Sequence, residues 1–162
     1  MNDDVITIGM AELACSDKSK ALRTSGLGSC VGVIIYQHGT KHAGMAHIML
    51  PSVSISSNRE HKIGKFADVA IPELVNQLIS RGASAYRLEA KIAGGAQMFA
   101  SAGNEMMRVG ERNVIAVKEK LEELKISIIA EDTGGKNGRT ILFDPLTHAL
   151  TIRTVHLGTK VI

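Results

Sequence analysis

Aromatic residues are almost missing: of 162 residues none is Trp, two are Tyr and three are Phe. Single-stranded nucleic acid is usually held on stacked rings beside basic residues, and no nucleic-acid-binding motif occurs here, so nucleic acid is not an expected ligand. Basic residues exceed acidic ones only by 19 to 16 and are scattered rather than gathered into a run, a weak bias toward acidic partners. No apolar run approaches the ~18 residues of a membrane-spanning helix, and the opening Met1-Asn2-Asp3-Asp4 is acidic where a secretory leader is basic. No membrane insertion and a cytoplasmic location are therefore expected. Two cysteines, Cys15 and Cys30, are too few for a disulfide framework, and in a reducing cytosol both are thiols available for chemistry.

What is present is the composition of a globular protein, with 44% hydrophobic residues and 16 glycines, in a length that suits a single domain over residues 1–162. Val5 to Leu13 alternates as a first strand, Ser16 to Arg23 is a polar connector, and Thr24 to Ser29 is a glycine-broken loop. Cys30 to Tyr36 and His42 to Leu50 are strands joined by a turn at Gln37 to Lys41, the second stopped by Pro51; serine-rich Ser52 to His61 is an exposed loop, a candidate flap. Gly64 to Arg81 has helical spacing with a stop at Gly82 and a kink or break expected at Pro72. Tyr86 to Ala93 is a strand, and Arg112 to Leu124 is an amphipathic helix with Val114, Val117, Leu121 and Leu124 on one face. Ile126 to Glu131, Arg139 to Asp144 and Ala149 to Val155 are strands, making the C-terminal third largely antiparallel sheet. Six or seven strands and two helices without regular alternation predict an α+β fold.

Cys30 is the candidate nucleophile. A neutral thiol attacks poorly, so a base must lie beside it. A two-residue loop at His38-Gly39 opposes Gln37 to Thr40, a four-residue loop over Gln37 to Thr40 keeps the same register, and counting back along both strands sets Cys30 opposite His47, on one face and within reach of a sulfur–imidazole contact. Any loop of odd length sends the two side chains to opposite faces. The backbone N–H groups of Gly28, Ser29 and Cys30 are candidate donors to an oxyanion, and Thr24 or Ser25 is a candidate to fix the imidazole tautomer.

Plainer explanations compete with each of these. Cysteine is among the most buried residue types, so Cys30 also suits packing, and His47 between Met45, Ala46, Ile48 and Met49 also suits a hydrogen-bonded core position. A metal set of Cys30, His38, His42 and His47 lacks the tight spacing of zinc sites, and neither Gly94-Gly95-Ala96 nor Gly134-Gly135 has the pattern of a nucleotide-binding loop. No metal and no cofactor are expected.

Leu27-Gly28-Ser29-Cys30-Val31-Gly32-Val33 and Gly44-Met45-Ala46-His47-Ile48-Met49-Leu50-Pro51 resemble blocks of the CheD family of chemoreceptor glutamine deamidases. Lys91 to Phe99, Gly110-Glu111-Arg112-Asn113 and Glu131 to Arg139 resemble further blocks, in order. His42-Ala43-Gly44 departs from the family, which often has two consecutive glycines there. The resemblance implies a Cys-His-Thr site of Cys30, His47 and Thr24, selecting Thr24 over Ser25. It also implies a largely antiparallel β-sandwich flanked by helices, similar to deamidating bacterial toxins. The implied reaction is hydrolysis of receptor glutamine side chains to glutamate through a thioester. The implied partners are chemoreceptor cytoplasmic helices and a CheC-type phosphatase, with Gly94, Gly95 and Phe99 as a surface for substrate or partner. The alternatives are a binding module that regulates such a phosphatase, or a glutamyl methylesterase on the same receptors.

Overall fold

A computed structural model describes residues 4–55, 61–98 and 108–162. Ten strands and two helices are seen among them: β1 Val5–Thr7, β2 Leu13–Cys15, β3 Ala21–Leu27, β4 Val31–Gln37, β5 Ala43–Ile48, α1 Ala67–Ser80, β6 Leu88–Gly94, α2 Val109–Glu123, β7 Ser127–Thr133, β8 Arg139–Phe143, β9 Leu150–Thr154 and β10 Gly158–Val161. The strands form two five-stranded sheets, ordered β1-β3-β8-β9-β10 and β2-β5-β4-β6-β7. Most pairings are antiparallel, while β1–β3 and β6–β7 are parallel. The fold is α+β as expected, a sandwich whose helices are both on one side.

The two cores explain that layering. One apolar cluster joins Val31, Val33 and Ile35 of β4 to Ile71, Leu74 and Leu78 of α1 and to Val117 and Leu121 of α2. The other joins Ile34 and Tyr36 of β4 and Met45 of β5 to Leu22, Ile141, Phe143 and Ile152 of the other sheet. Strand β4 therefore has a layer on each face and a strand on each edge, and all seven of its residues are buried. Its continuous run of β-branched residues is what a strand buried on both faces requires.

Several elements differ from the sequence expectation. Val5 to Leu13 is not one strand: β1 belongs to one sheet and β2 to the other, so the chain changes sheets between Ile8 and Glu12. Thr24 to Ser29 is not all loop, because β3 extends to Leu27 through a bulge. Thr24 pairs with Ile141 and Leu27 with Arg139, so one extra residue is accommodated, and Gly26 takes φ 70° there, a conformation glycine adopts without strain. That extra residue breaks the strict alternation by which strands are read. Helix α1 runs unbroken through Pro72 to Ser80 and is closed just beyond its cap at Gly82, with the Ala83 N–H on Leu78 O (3.0 Å) and the Gly82 N–H on Ile79 O (3.0 Å), a Schellman closure. The C-terminal third is divided: β7 lies parallel to β6 in one sheet, with α2 as their crossover, while β8, β9 and the unforeseen β10 belong to the other. Part of Ser52 to His61 lies outside the described residues; Val53–Ile55 form a short 3-10 turn.

Candidate active site

The hairpin register sets the relation of Cys30 to His47. Gln37 donates its N–H to His42 O (3.0 Å), and the ladder runs Tyr36↔Ala43, Ile34↔Met45, Gly32↔His47, Val31↔Ile48. The loop is thus His38 to Lys41, four residues, rather than two. Only Gly39 has positive φ, 76°, so the primed two-residue turn, which needs positive φ at both central residues, does not form. An even-length loop keeps both side chains on one face, as expected, but the register is moved by two: His47 faces Gly32, and Cys30, just before β4, lies diagonal to it. Diagonal neighbours are about 7–8 Å apart, somewhat less between their Cβ atoms, compared with about 5 Å for opposed ones.

That face looks across to the other sheet, where Thr24 waits. Thr24 Oγ1 is 2.7 Å from His47 Nδ1 and 2.7 Å from Ile8 O. A carbonyl only accepts, so the single hydroxyl proton goes to Ile8 O and the oxygen accepts Nδ1–H from the imidazole. The neutral ring therefore has its lone pair on Nε2, which is buried without a hydrogen-bond partner among the described residues. The His47 backbone is held too, its N–H on Glu12 O (2.9 Å) and its O accepting from Ala11 N (3.1 Å). The sheet-changing segment Ile8 to Glu12 thus orients both the ring and its backbone. Ser25, the other candidate, is exposed.

Cys30, His47 and Thr24 retain 8%, 1% and 0% of their surface. Burial pushes the Cys30 thiol above its ordinary range and the His47 imidazole below its own, since a low-dielectric site disfavours either charged form. Both shifts favour the neutral forms, thiol and imidazole.

The backbone around Cys30 is pinned from three directions. Cys30 O accepts from Gly95 N (2.8 Å), and Gly28 O accepts from Ala96 N (2.8 Å). A Cβ on Gly94 would lie 2.3 Å from Cys30 O, and its φ is 117°, so only glycine fits. Arg139 supports this turn, its Nη1 on Gly94 O (3.3 Å) and its Nε on Asp132 Oδ2 (3.1 Å). Burial raises the Asp132 pKa, but the Lys160 and Arg139 hydrogen bonds and charges outweigh it and leave that carboxyl below its ordinary value.

Of the oxyanion candidates, Gly28 is already engaged, its N–H on Gly26 O (3.1 Å). Ser29 and Cys30 keep backbone N–H groups with no acceptor among the described residues. Gly94 and Gly95 are buried and back the Cys30 main chain rather than present the surface expected of them. Gly95 also borders a cleft of about 340 Å³ with Gln97, Glu111 and Val114. Phe99 lies outside the described residues. His38 pairs with Glu89 at 3.3 Å in the hairpin loop, and among the described residues no three His, Cys, Asp or Glu side chains gather as metal ligands.

One residue escaped sequence reasoning. Asn113 of α2 is fully buried, its Nδ2 donating to Ser29 O and Met49 O, both at 2.9 Å. The signal was legible: Gly110, Asn113, Val117 and Leu121 are the buried stripe of α2, and a polar residue in such a stripe calls for a partner.

The sequence profile described as CheD chemotactic sensory transduction matches residues 49–154. The chain is 54% identical, over 98% of its own length and 98% of the relative's, to the chemoreceptor glutamine deamidase CheD of Halalkalibacterium halodurans. It is 44% identical to the protein of that name from Bacillus subtilis, over 98% and 96% of the two lengths. The chain belongs to the CheD family. The profile match begins two residues beyond His47, so roles for Cys30, His47 and Thr24 rest on geometry and on the residue blocks that resemble the family's. Among solved structures, the hypothetical protein YfiH of Bacillus licheniformis superposes with a TM-score of 0.49 at 13% identity, over 76% of this chain and 51% of that one, a likeness too low to bear on fold or chemistry. No helix among the described residues is long and apolar enough to cross a membrane.

Proposed function

We propose that this CheD-family chain hydrolyses glutamine side chains of chemoreceptors to glutamate, the activity its relatives are named for, with Cys30 as nucleophile, His47 as general base and Thr24 as the group that orients it. The observation that carries the assignment is the Thr24 bridge between Ile8 O and His47 Nδ1, which leaves Nε2 as a proton acceptor on the face that bears Cys30.

In the cycle, His47 Nε2 takes the thiol proton as the sulfur adds to the carboxamide carbon, and the carbonyl oxygen becomes an oxyanion facing the N–H groups of Ser29 and Cys30. The imidazolium protonates the amide nitrogen, the carbon–nitrogen bond breaks, and ammonia leaves a thioester on Cys30. Water, deprotonated by His47, adds to the thioester; the carbon–sulfur bond breaks, releasing glutamate and returning the proton to the thiol. The cycle balances with water as the only co-reactant. Buried neutral partners suit it, because charge appears only as the carbonyl is attacked.

Receptor cytoplasmic helices are the substrate in this reading, and the cytoplasm its setting. A CheC-type phosphatase that occupies the same surface would act as a competitive inhibitor. The test is incubation of a chemoreceptor cytoplasmic fragment with the protein, followed by mass spectrometry of its glutamines and assay of the leaving group. Ammonia release with amide-to-acid conversion supports the proposal. Methanol release from methylated receptor, without ammonia, replaces it with methylesterase chemistry, and binding of the phosphatase with neither product replaces it with a regulatory module.

A further inference from the structure

The last rung between β4 and β5 is Val31↔Ile48, and the next opposed pair would be Cys30 and Met49. There the Asn113 amide closes the open end of the hairpin, one N–H on Ser29 O and the other on Met49 O, each at 2.9 Å. Both partners are carbonyls, so the amide nitrogen must face them. Its Oδ1 is buried with no partner among the described residues. Its two N–H groups each meet a backbone carbonyl, bonds that an apolar side chain in the Val117–Leu121 stripe would not supply, so Asn113 is not explained by packing alone.

The peptide that Asn113 holds is the one joining Ser29 to the nucleophile. A trans peptide is rigid and planar, with its C=O and N–H pointing in opposite directions. With Ser29 O drawn to α2, the N–H of Cys30 is turned away from α2, and α2 covers the face of the sheet opposite to the one bearing Cys30 and His47. The following peptide is fixed independently by Gly95 N on Cys30 O. We infer that Asn113 is a positioning residue for the reaction proposed above, holding the Ser29–Cys30 peptide so that the Cys30 N–H meets the oxyanion. The inference rests on that proposal. It assigns Asn113 no contact with substrate.

The test compares two reactions of one thiol. Deamidation passes through an oxyanion, whereas alkylation by iodoacetamide is a displacement at a methylene carbon and forms none. Asn113→Asp presents acceptors to the two carbonyls, and Asn113→Ala removes the donors. Both should lower kcat on a receptor fragment by about 10²-fold, the scale for a lost oxyanion donor, with KM little changed. Alkylation of Cys30 should keep its rate and pH profile. Equal losses in both reactions would mean that Asn113 places the sulfur rather than the donor and would overturn the inference, as would unchanged kcat. If neither variant folds, judged by circular dichroism, the amide serves the fold and the inference fails. A wild-type protein that alkylates normally but never deamidates sinks the proposed function and this inference with it.

Discussion

The two thiols lie on opposite faces of the same sheet. Cys15 of β2 packs in the helix-side cluster, its Sγ 4.0 Å from Gln77 Oε1 of α1. Cys30 lies in the cluster between the sheets. Both are buried, and burial raises the pKa of both thiols, although the charge of Arg81 partly opposes it at Cys15. Neither burial nor acidity tells them apart. What differs is the surroundings: the inter-sheet face that bears Cys30 also bears His47, its ring held by Thr24, whereas the helix side gives Cys15 an amide and apolar packing.

The comparison breaks most sharply by removing each thiol in turn. Cys30→Ala should abolish deamidation of a receptor fragment, and Cys15→Ala should leave kcat within about twofold, since a surface of apolar contacts supplies no chemistry. Reversal of that pattern would assign the nucleophile to the helix side. Thr24→Val removes the hydroxyl that sets the imidazole tautomer and should lower kcat by about 10²–10⁴-fold, the range for losing an oriented general base. Thr24→Ser should restore most of it, and failure to do so would mean that the hydroxyl alone does not suffice and the methyl group is needed beside it.

On the helix side the expected effects are on stability. Leu74→Ala empties a fully buried position of α1 and should lower unfolding free energy by about 2–5 kcal/mol in denaturant titration, with kcat intact where the variant remains folded. A loss of kcat in folded Leu74→Ala would mean that the two faces are coupled. The smallest effects are in pH profiles. His47 is held below its ordinary 6.5 by burial, so it stays neutral, and able to accept a proton, to a lower pH; the acid limb of kcat/KM should have its midpoint below 6.5. Cys30 is held above 9.0, so alkylation by iodoacetamide should rise through a midpoint above 9.0. A midpoint in the acidic range would reveal a standing thiolate–imidazolium pair and contradict the neutral resting site.

Much of this was legible locally. The β-branched run of β4, the stop at Gly82 and the stripe of α1 follow from short-range periodicity, and an even-length hairpin loop suffices to put Cys30 and His47 on one face. The register was not legible, because a four-residue loop and a two-residue loop share parity and differ only in where backbone hydrogen bonds close. Strand β3 was hidden by its bulge, since one extra residue at Gly26 shifts the alternation by which strands are recognised.

By itself, then, the sequence determined which residues can do chemistry: a thiol and an imidazole on facing strands, with a threonine upstream. The tertiary structure alone decided how they are arranged. Thr24 reaches His47 only because the two sheets stack, and Ile8 O receives the Thr24 proton only because the chain changes sheets at that point. Asn113 grips Ser29 O from 84 residues away. Each depends on contacts between segments far apart in the chain, which local propensity and periodicity do not encode. The register that places Cys30 diagonal to His47 was likewise decided by hydrogen bonds closed in the folded hairpin.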